Sequence, residues 1–109
     1  MTRAARLRRS DDIAAVRAGG RAIRRDAFVA RIRRSDLSET RLAVTAPRTV
    51  GGSVQRNRAR RRVREAFRRA LTARTVPADV LVTVRREALD TDFGTLVRDA
   101  EASLGERGA

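Results

Sequence analysis

The chain has 109 residues, the size of one ordinary domain, and its 26 basic and 13 acidic residues give a formal net charge of +13. All 26 basic residues are arginine, while histidine, cysteine, tryptophan and tyrosine are absent, so zinc fingers, disulfides, thiol nucleophiles and imidazole bases are excluded. No apolar run approaches the ~20 residues of a membrane span. We expect a single cytoplasmic domain over residues 1–109 with a polyanionic partner.

The N-terminal third begins with a basic stretch, residues 1–9, which we expect to be flexible. Ser10 is followed by two aspartates and predicts the N-cap of a short helix over residues 10–18. The glycine pair at 19–20 ends this helix. A short edge strand is predicted at residues 21–25.

The next segment has the alternation of a half-buried sheet. Residues 27–34 place Phe28 on an apolar face and Arg31 on a basic one. After a polar turn at 35–40, residues 41–46 form the next predicted strand. Two strands joined in this way predict an antiparallel hairpin.

The segment from Pro47 to Gly52 interrupts regular structure, and Ser53 is predicted to cap a long helix that runs to about Arg74. Apolar residues recur along this segment with helical spacing and predict its core face. They are Ala59, Val63, Ala66, Phe67, Ala70 and Leu71.

The C-terminal third contains the most strand-like segment, Val80–Val84, which is rich in β-branched residues. Thr91 or Asp92 then caps a last helix that ends at Gly105. Its predicted core face consists of Phe93, Leu96, Val97, Ala100 and Leu104. All three phenylalanines of the chain, Phe28, Phe67 and Phe93, are interpreted as core. The order of elements is α-β-β-β-α-β-α, which predicts an α+β sandwich.

Residues 51–69 carry eight arginines and one acid, Glu65. Arg61, Arg64 and Arg68 lie roughly opposite the apolar stripe at 100° per residue. A solvated charged face is the simplest interpretation, but such faces mix signs and gain i,i+4 pairs. A nearly all-arginine face indicates phosphate binding. The Gly-Gly-Ser turn before the helix is either an anion site or a plain loop with a cap.

The same stretch, RNR-A-RRR-VRE preceded by V-G and a strand, resembles the signature of the bacterial ribonuclease P protein subunit. LRRSDDIAAVRAGG, RLAVTAPRTVGGSVQRNR and DVLVTVRR resemble further parts of that family, so the similarity covers most of the chain. It implies a two-layer sandwich with a four-stranded sheet and a left-handed β-α-β crossover, like domain 2 of ribosomal protein S5. The usual crossover is right-handed.

The resemblance also implies a function. A catalytic RNA would remove the 5′ leader from precursor tRNA, and this chain would bind the RNA and the leader without supplying a catalytic side chain. Mg²⁺ would be held mainly by RNA phosphates and would activate a water. The expected partners are ribonuclease P RNA and precursor tRNA, with no membrane, no DNA and no metal on the protein.

The positions that match the signature, together with the basic residue of the preceding loop, are the candidate RNA contacts. They are Arg48, Arg56, Asn57, Arg58, Arg60, Arg61, Arg62, Arg64 and Arg68. Either Arg62 or Arg64 could instead serve structure, and Asn57 could cap or brace the crossover as readily as bind RNA.

The resemblance places a leader-binding cleft between the first helix and the sheet, with Ile13, Arg17, Arg31 and Thr45 as candidates. The family tends to have aromatic residues at positions that match Ile13, Arg17 and Arg31. Stacking on aromatic rings, worth ~1–3 kcal/mol per base, is therefore lost here. We hypothesise that Arg17 and Arg31 replace it with phosphate contacts and guanidinium stacking.

Two other classes share part of this pattern. A ribosomal protein or RNA chaperone would also be small, basic and α+β. A DNA-binding regulator would need two helices packed around a short turn, whereas predicted strands flank the basic helix here.

Overall fold

The computed structural model describes residues 5–6, 10–34, 40–72 and 77–105. The elements in chain order are β1 Ala5–Arg6, α1 Ser10–Gly19, β2 Arg21–Arg24, β3 Phe28–Arg34, β4 Arg41–Thr45, α2 Ser53–Leu71, β5 Ala78–Val84 and α3 Phe93–Gly105. Short 3₁₀ turns at Arg48–Val50 and Arg86–Leu89 precede α2 and α3. The predicted α+β class, with four main strands and three helices, is confirmed.

The strands form one mixed sheet in the order β1-β4-β5-β3-β2. β3 runs antiparallel to both β2 and β5, whereas β4 runs parallel to β5 and to the two-residue β1. The predicted hairpin between β3 and β4 is wrong, because β5 lies between them. β5 is buried along almost its whole length, and a strand that is apolar on both faces belongs in the centre of a sheet.

The main core lies between one face of the sheet and the helices α2 and α3. All six residues of the predicted α2 stripe are buried. Phe28 of β3 meets Phe67 of α2 edge to face, with ring centroids 5.0 Å apart and planes at 71°. The helix α2 crosses between the adjacent parallel strands β4 and β5. The handedness of this crossover stays a prediction.

The other face of the sheet is covered in part by α1. Val16 of α1 is fully buried against Leu81 of β5, and the half-buried Ile13 and Ala43 pack against this pair. The two-layer arrangement thus describes the main core, while α1 adds a third layer over part of the opposite face.

Glycine is required where α1 ends. The Gly20 amide donates a 2.6 Å hydrogen bond to the Val16 carbonyl, and a Cβ at Gly20 would lie 2.3 Å from the same oxygen. At the start of α2, Gly51 has φ +144°, a conformation that other residues rarely adopt. The polypeptide can therefore enter α2 directly from the first 3₁₀ turn.

The helix ends differ from the predicted ones in detail. α2 has Gly52 at its N-cap and Ser53 as its first residue, with no side-chain capping hydrogen bond, so the predicted Ser53 cap is wrong by one position. The predicted end of this helix near Arg74 lies outside the described residues, and α2 ends at Leu71. Of the predicted flexible segment 1–9 the structure describes Ala5–Arg6, which pair with Arg41 and Leu42 of β4.

Candidate nucleic-acid interface

Helix α2 presents arginines on the surface that its core stripe leaves open. Arg58, Arg61 and Arg68 are exposed, while four others are half-buried: Arg56, Arg60, Arg62 and Arg64. The buried stripe fixes the rotation of the helix against the sheet, so the exposed guanidinium groups stand on a rigid scaffold. Such a surface can bind phosphates through bidentate hydrogen bonds.

Asn57 braces its own helix. Its Oδ1 accepts a 2.9 Å hydrogen bond from Nη1 of Arg60, one turn further along α2. The bond orients the Arg60 guanidinium group before any RNA arrives. This bond lies within α2, and whether Asn57 also contacts RNA stays a prediction.

Arg62 bonds to the protein backbone. Its Nε donates to the Ala88 carbonyl at 3.3 Å, and its Nη2 donates to the Thr91 carbonyl. These oxygens lie at the end of the second 3₁₀ turn and just before α3. Arg62 therefore ties α2 to the segment that connects β5 with α3, which is a structural role.

The C-terminal part of α2 is less free to bind an anion. Glu65 accepts hydrogen bonds from Arg68 at 2.9 Å and Arg69 at 3.4 Å. Arg69 also stacks on Phe93, with its Cζ 4.9 Å from the ring centroid. Phe93 itself is half-buried. Of the three phenylalanines predicted as core, it is the one that lies at the edge of the core.

The first 3₁₀ turn places the exposed Arg48 just before α2. The exposed Gly52 and Ser53 follow it at the start of the helix. Arg56 then begins the hydrogen-bonded ladder, donating its amide to the Gly52 carbonyl at 2.9 Å. Arg48 therefore lies in the same loop as the N-terminus of α2, next to the signature arginines.

The sheet face that α1 covers only in part is termed the open face. Its central residues form two cross-strand rows, Thr45-Thr83-Val29-Arg24 and Ala43-Leu81-Arg31-Ala22, on β4, β5, β3 and β2 respectively. Arg31 is half-buried in the second row and Thr45 is exposed in the first. Arg17 is exposed on α1, next to the buried Val16. The structure therefore brings the predicted cleft residues to one side of the sheet.

Ile13 has a different position from that expected of a ligand contact. It packs with Val16, Leu81 and Ala43 in the small cluster beneath α1. This contact fixes α1 on the open face. Only the part of Ile13 that remains accessible could meet a ligand.

An ion pair that the sequence analysis did not identify lies in the next row of the open face. Arg41 and Asp79 are direct cross-strand partners, and Arg41 donates two hydrogen bonds of 2.8 Å to the two carboxylate oxygens. Their side chains are only 16% and 5% exposed. Such a bidentate pair helps fix the register of β4 against β5, and its charges offset each other.

A pocket of about 360 Å³ lies at the other end of the open face, beyond the first row. Arg24, Val29 and Thr83 contribute to its lining from three strands, and Arg85 and Arg86 contribute from the start of the second 3₁₀ turn. The sequence analysis did not select these arginines. For Arg85 and Arg86, the available signal was their position as a basic pair directly after the most strand-like segment, Val80–Val84.

The carboxylates of the described residues do not form a metal site. Within the described parts of the chain no three acidic side chains come together. Asp79 is held by Arg41, Glu65 by Arg68 and Arg69, and Asp92 by Thr95. Nor does any described helix combine the length and the apolar character needed to cross a membrane.

Asp92 is the N-cap of α3. It is one of the two residues, Thr91 and Asp92, that the sequence predicted for this position. It accepts hydrogen bonds from the Thr95 amide at 3.0 Å and from the Thr95 hydroxyl at 2.8 Å. The side-chain bond from Thr95, together with the backbone bonds, lowers the pKa of Asp92 below its ordinary value. The carboxylate therefore satisfies a backbone amide in the first turn of α3 that has no partner within the helix.

Both the sequence and the fold are similar to those of known proteins. A family model described as Ribonuclease P matches residues 1–107. The ribonuclease P protein component of Chloroflexus aurantiacus is 40% identical over 105 residues, which cover 95% of this chain and 78% of that protein. The RNase P protein from Thermotoga maritima superposes with a TM-score of 0.73 at 29% identity and covers 91% of this chain and 93% of its own. The Staphylococcus aureus RNase P protein shares the fold, with a TM-score of 0.76 at 22% identity over 93% of both chains. With a family match over nearly its whole length and a relative of 40% identity, the chain belongs to the ribonuclease P protein family.

Proposed function

We propose that this chain is the RNA-binding protein subunit of ribonuclease P, which assists a catalytic RNA in removing the 5′ leader from precursor tRNA in the cytoplasm. The observation that carries the proposal is α2, whose buried stripe fixes a row of arginines on the surface. Membership of the family supports the same function.

The RNA subunit binds along α2 and the loop before it. Arg58 and Arg61 are exposed, so their guanidinium groups can each donate two hydrogen bonds to a phosphate. The exposed Arg48 extends this surface. Arg56, Arg60 and Arg64 contribute from the flanks of the helix. Each neutralised phosphate releases counterions, so binding should weaken steeply as salt rises.

The leader lies on the open face beside α1. Arg17 and Arg31 supply positive charge from α1 and β3, and Thr45 supplies a hydroxyl group. No aromatic side chain lies in either central row of this face. The grip on the leader therefore rests on phosphate contacts and guanidinium stacking, which read base identity weakly.

Catalysis belongs to the RNA. The chain has no histidine or cysteine, and three of the described carboxylates are engaged: Asp79 and Glu65 with arginines, and Asp92 with the cap of α3. Mg²⁺ bound mainly by RNA phosphates would activate the attacking water. The protein would contribute affinity and orientation.

A cleavage assay tests the proposal. The full chain is mixed with ribonuclease P RNA and precursor tRNA at low Mg²⁺, where the RNA alone cleaves slowly. We expect mature 5′ ends to form faster, and we expect the protein alone to cleave nothing. A ribosomal protein or RNA chaperone would bind RNA without this effect, so an unchanged rate contradicts the proposal.

A further inference from the structure

We propose that Arg69, held over the ring of Phe93, is a stacking platform for one unpaired base of the RNA subunit. The inference rests on the proposed function, because the base belongs to the RNA that binds along α2. The platform lies where the C-terminal end of α2 meets the start of α3, in the helical layer and not on the open face. Neither residue is among the candidate RNA contacts.

Two contacts position the guanidinium group of Arg69. Its Cζ lies 4.9 Å from the centroid of the Phe93 ring, within the range of a cation–π contact. Its Nε donates a 3.4 Å hydrogen bond to Oε2 of Glu65, one turn earlier on α2. Phe93 in turn packs against the main core. The guanidinium group is therefore held between a carboxylate of its own helix and a ring of α3, which restricts the rotation of a long side chain before RNA arrives.

The ring covers one side of the guanidinium group and leaves the rest of the side chain accessible. The Arg69 side chain is 61% exposed despite both contacts. Within the described part of the chain, neither of its Nη atoms donates a hydrogen bond. A planar cation with one face covered and the other accessible can stack on an unpaired base, and RNA-binding proteins use guanidinium planes in this way.

The position of Arg69 links the platform to the exposed arginines of α2. Arg58 and Arg69 are both exposed and lie eleven residues apart on the same helix. At 3.6 residues per turn this separation is three turns to within about 20°, so both residues lie on the same side of α2, about 16.5 Å apart along its axis. An RNA that contacts Arg58 can therefore reach Arg69 by following one side of the helix.

The charge around the platform favours a nucleobase over an aromatic side chain of a protein partner. Arg68 and Arg69 share the single carboxylate of Glu65, at 2.9 and 3.4 Å, so one positive charge remains in excess. A base of RNA is joined to phosphates that this excess attracts. An aromatic side chain carries no such charge, and it would gain nothing from the arginines that continue along α2.

The first test separates stacking from charge by measuring the affinity of the full chain for ribonuclease P RNA across a salt series. R69K keeps the positive charge but loses the planar group, so we expect the affinity to fall about three- to fivefold. The salt slope should not change, because it counts neutralised phosphates. R98K is the matched control at an exposed position of α3, and it should bind like the wild type. A lower salt slope in R69K would assign Arg69 to a phosphate and overturn the stacking.

Variants of Phe93 test the other half of the platform in the same assay. F93L keeps apolar bulk but removes the ring, and we expect it to weaken binding as R69K does. F93W keeps a ring under the guanidinium group and should retain the affinity of the wild type. Urea unfolding measures the folded fraction of each variant, so that the affinities refer to folded protein. Wild-type affinity in R69K and F93L, or an equal loss in F93L and F93W, would overturn the proposal.

The second test locates the base by acylation of 2′-hydroxyl groups in ribonuclease P RNA bound to each protein at saturating concentration. A nucleotide whose base is stacked on Arg69 is immobilised, so its ribose should react less than in the free RNA. We expect one short stretch of unpaired RNA to be protected by the wild type, F93W and R98K, and to react again in the complexes with R69K and F93L. Identical reactivity in all five complexes would show that no base stacks on Arg69.

The failure of this inference differs from the failure of the proposed function. If R69K matches the wild type in affinity and in acylation while the wild-type chain still stimulates cleavage, the platform alone is wrong. If the wild-type chain does not stimulate cleavage, the proposed function is wrong whatever R69K does. A base that is protected by the wild type and released in R69K would support the platform in either case.

Discussion

Arg31 illustrates how far a single residue could be predicted. The alternation along residues 27–34 predicts its position on the basic side of a half-buried strand, and the structure places it there, between Leu81 and Ala22. Its half-buried state could not be predicted, because it depends on the neighbouring strands. An arginine whose stem is packed against apolar neighbours has a guanidinium group restricted to the surface of the cleft.

The first prediction concerns this residue. Replacing Arg31 with alanine should weaken leader binding and lower the salt slope by about 0.7 if one phosphate contact of a single strand is lost. The measurement is the affinity of the holoenzyme for precursor tRNA with and without a leader, across a salt series. Arg98→Ala is the control, since Arg98 is exposed on α3 away from the open face. An unchanged slope would refute a phosphate contact at Arg31.

Asp92 carries the pH prediction. Its pKa is lowered in the folded protein by the hydrogen bonds from Thr95, so its contribution to stability is present above the pKa of the unfolded chain. That contribution is lost as the pH falls through the lower, folded pKa. Asp92→Asn keeps an acceptor for the helix cap but cannot titrate. The Tm should therefore fall less steeply in the variant than in the wild type as the pH is lowered from 7 to 2. If the Tm of both proteins falls in parallel, Asp92 does not have this role.

At the scale of elements, apolar spacing predicted which faces are buried but could not predict strand order. The six-residue stripe of α2 and the alternating face of β3 are both local patterns, and both are confirmed. The pairing of β3 with β5 is a long-range choice, and the prediction wrongly favoured the nearest strand in sequence. The continuous apolar character of Val80–Val84 was the available signal for a central strand.

The two sides of α2 give the third prediction, which compares neighbouring arginines. Arg62→Ala should lower the free energy of unfolding by about 1–3 kcal/mol, because the carbonyls of Ala88 and Thr91 lose their donors. Arg61→Ala, at an exposed position, should change it by less than about 0.5 kcal/mol and should weaken RNA binding more. Urea unfolding and filter binding measure the two effects. Equal loss of stability in both variants would show that the bonds of Arg62 do not stabilise the fold.

At the scale of the whole molecule, the charge is unevenly distributed. Residues 87–105 carry five acidic side chains and one arginine, whereas α2 carries eight arginines and one acid. The excess charge of +13 is therefore concentrated outside residues 87–105. The fold holds the arginines of α2, β3 and the first 3₁₀ turn within one small domain with a radius of gyration of 12.8 Å, so their repulsion acts against the folded state until an anion offsets it.

The last prediction follows from that repulsion. The length over which salt screens charges is about 10 Å at 0.1 M and becomes shorter as salt rises. Raising NaCl from 20 to 300 mM should therefore weaken the repulsion among the arginines and stabilise the free protein. A gain of about 1 kcal/mol corresponds to a rise in Tm of about 4–8 °C for a domain of this size. Calorimetry of the wild type is compared with R58Q/R61Q/R68Q, which removes three exposed positive charges from α2 and should respond less to salt. Ribonuclease P RNA, which binds the folded state, should raise the Tm further at low salt. A wild-type Tm that falls with salt would show that attraction between arginines and carboxylates outweighs repulsion among arginines. Repulsion on the positive surface would then not destabilise the free protein, and RNA would not stabilise the fold by neutralising that repulsion.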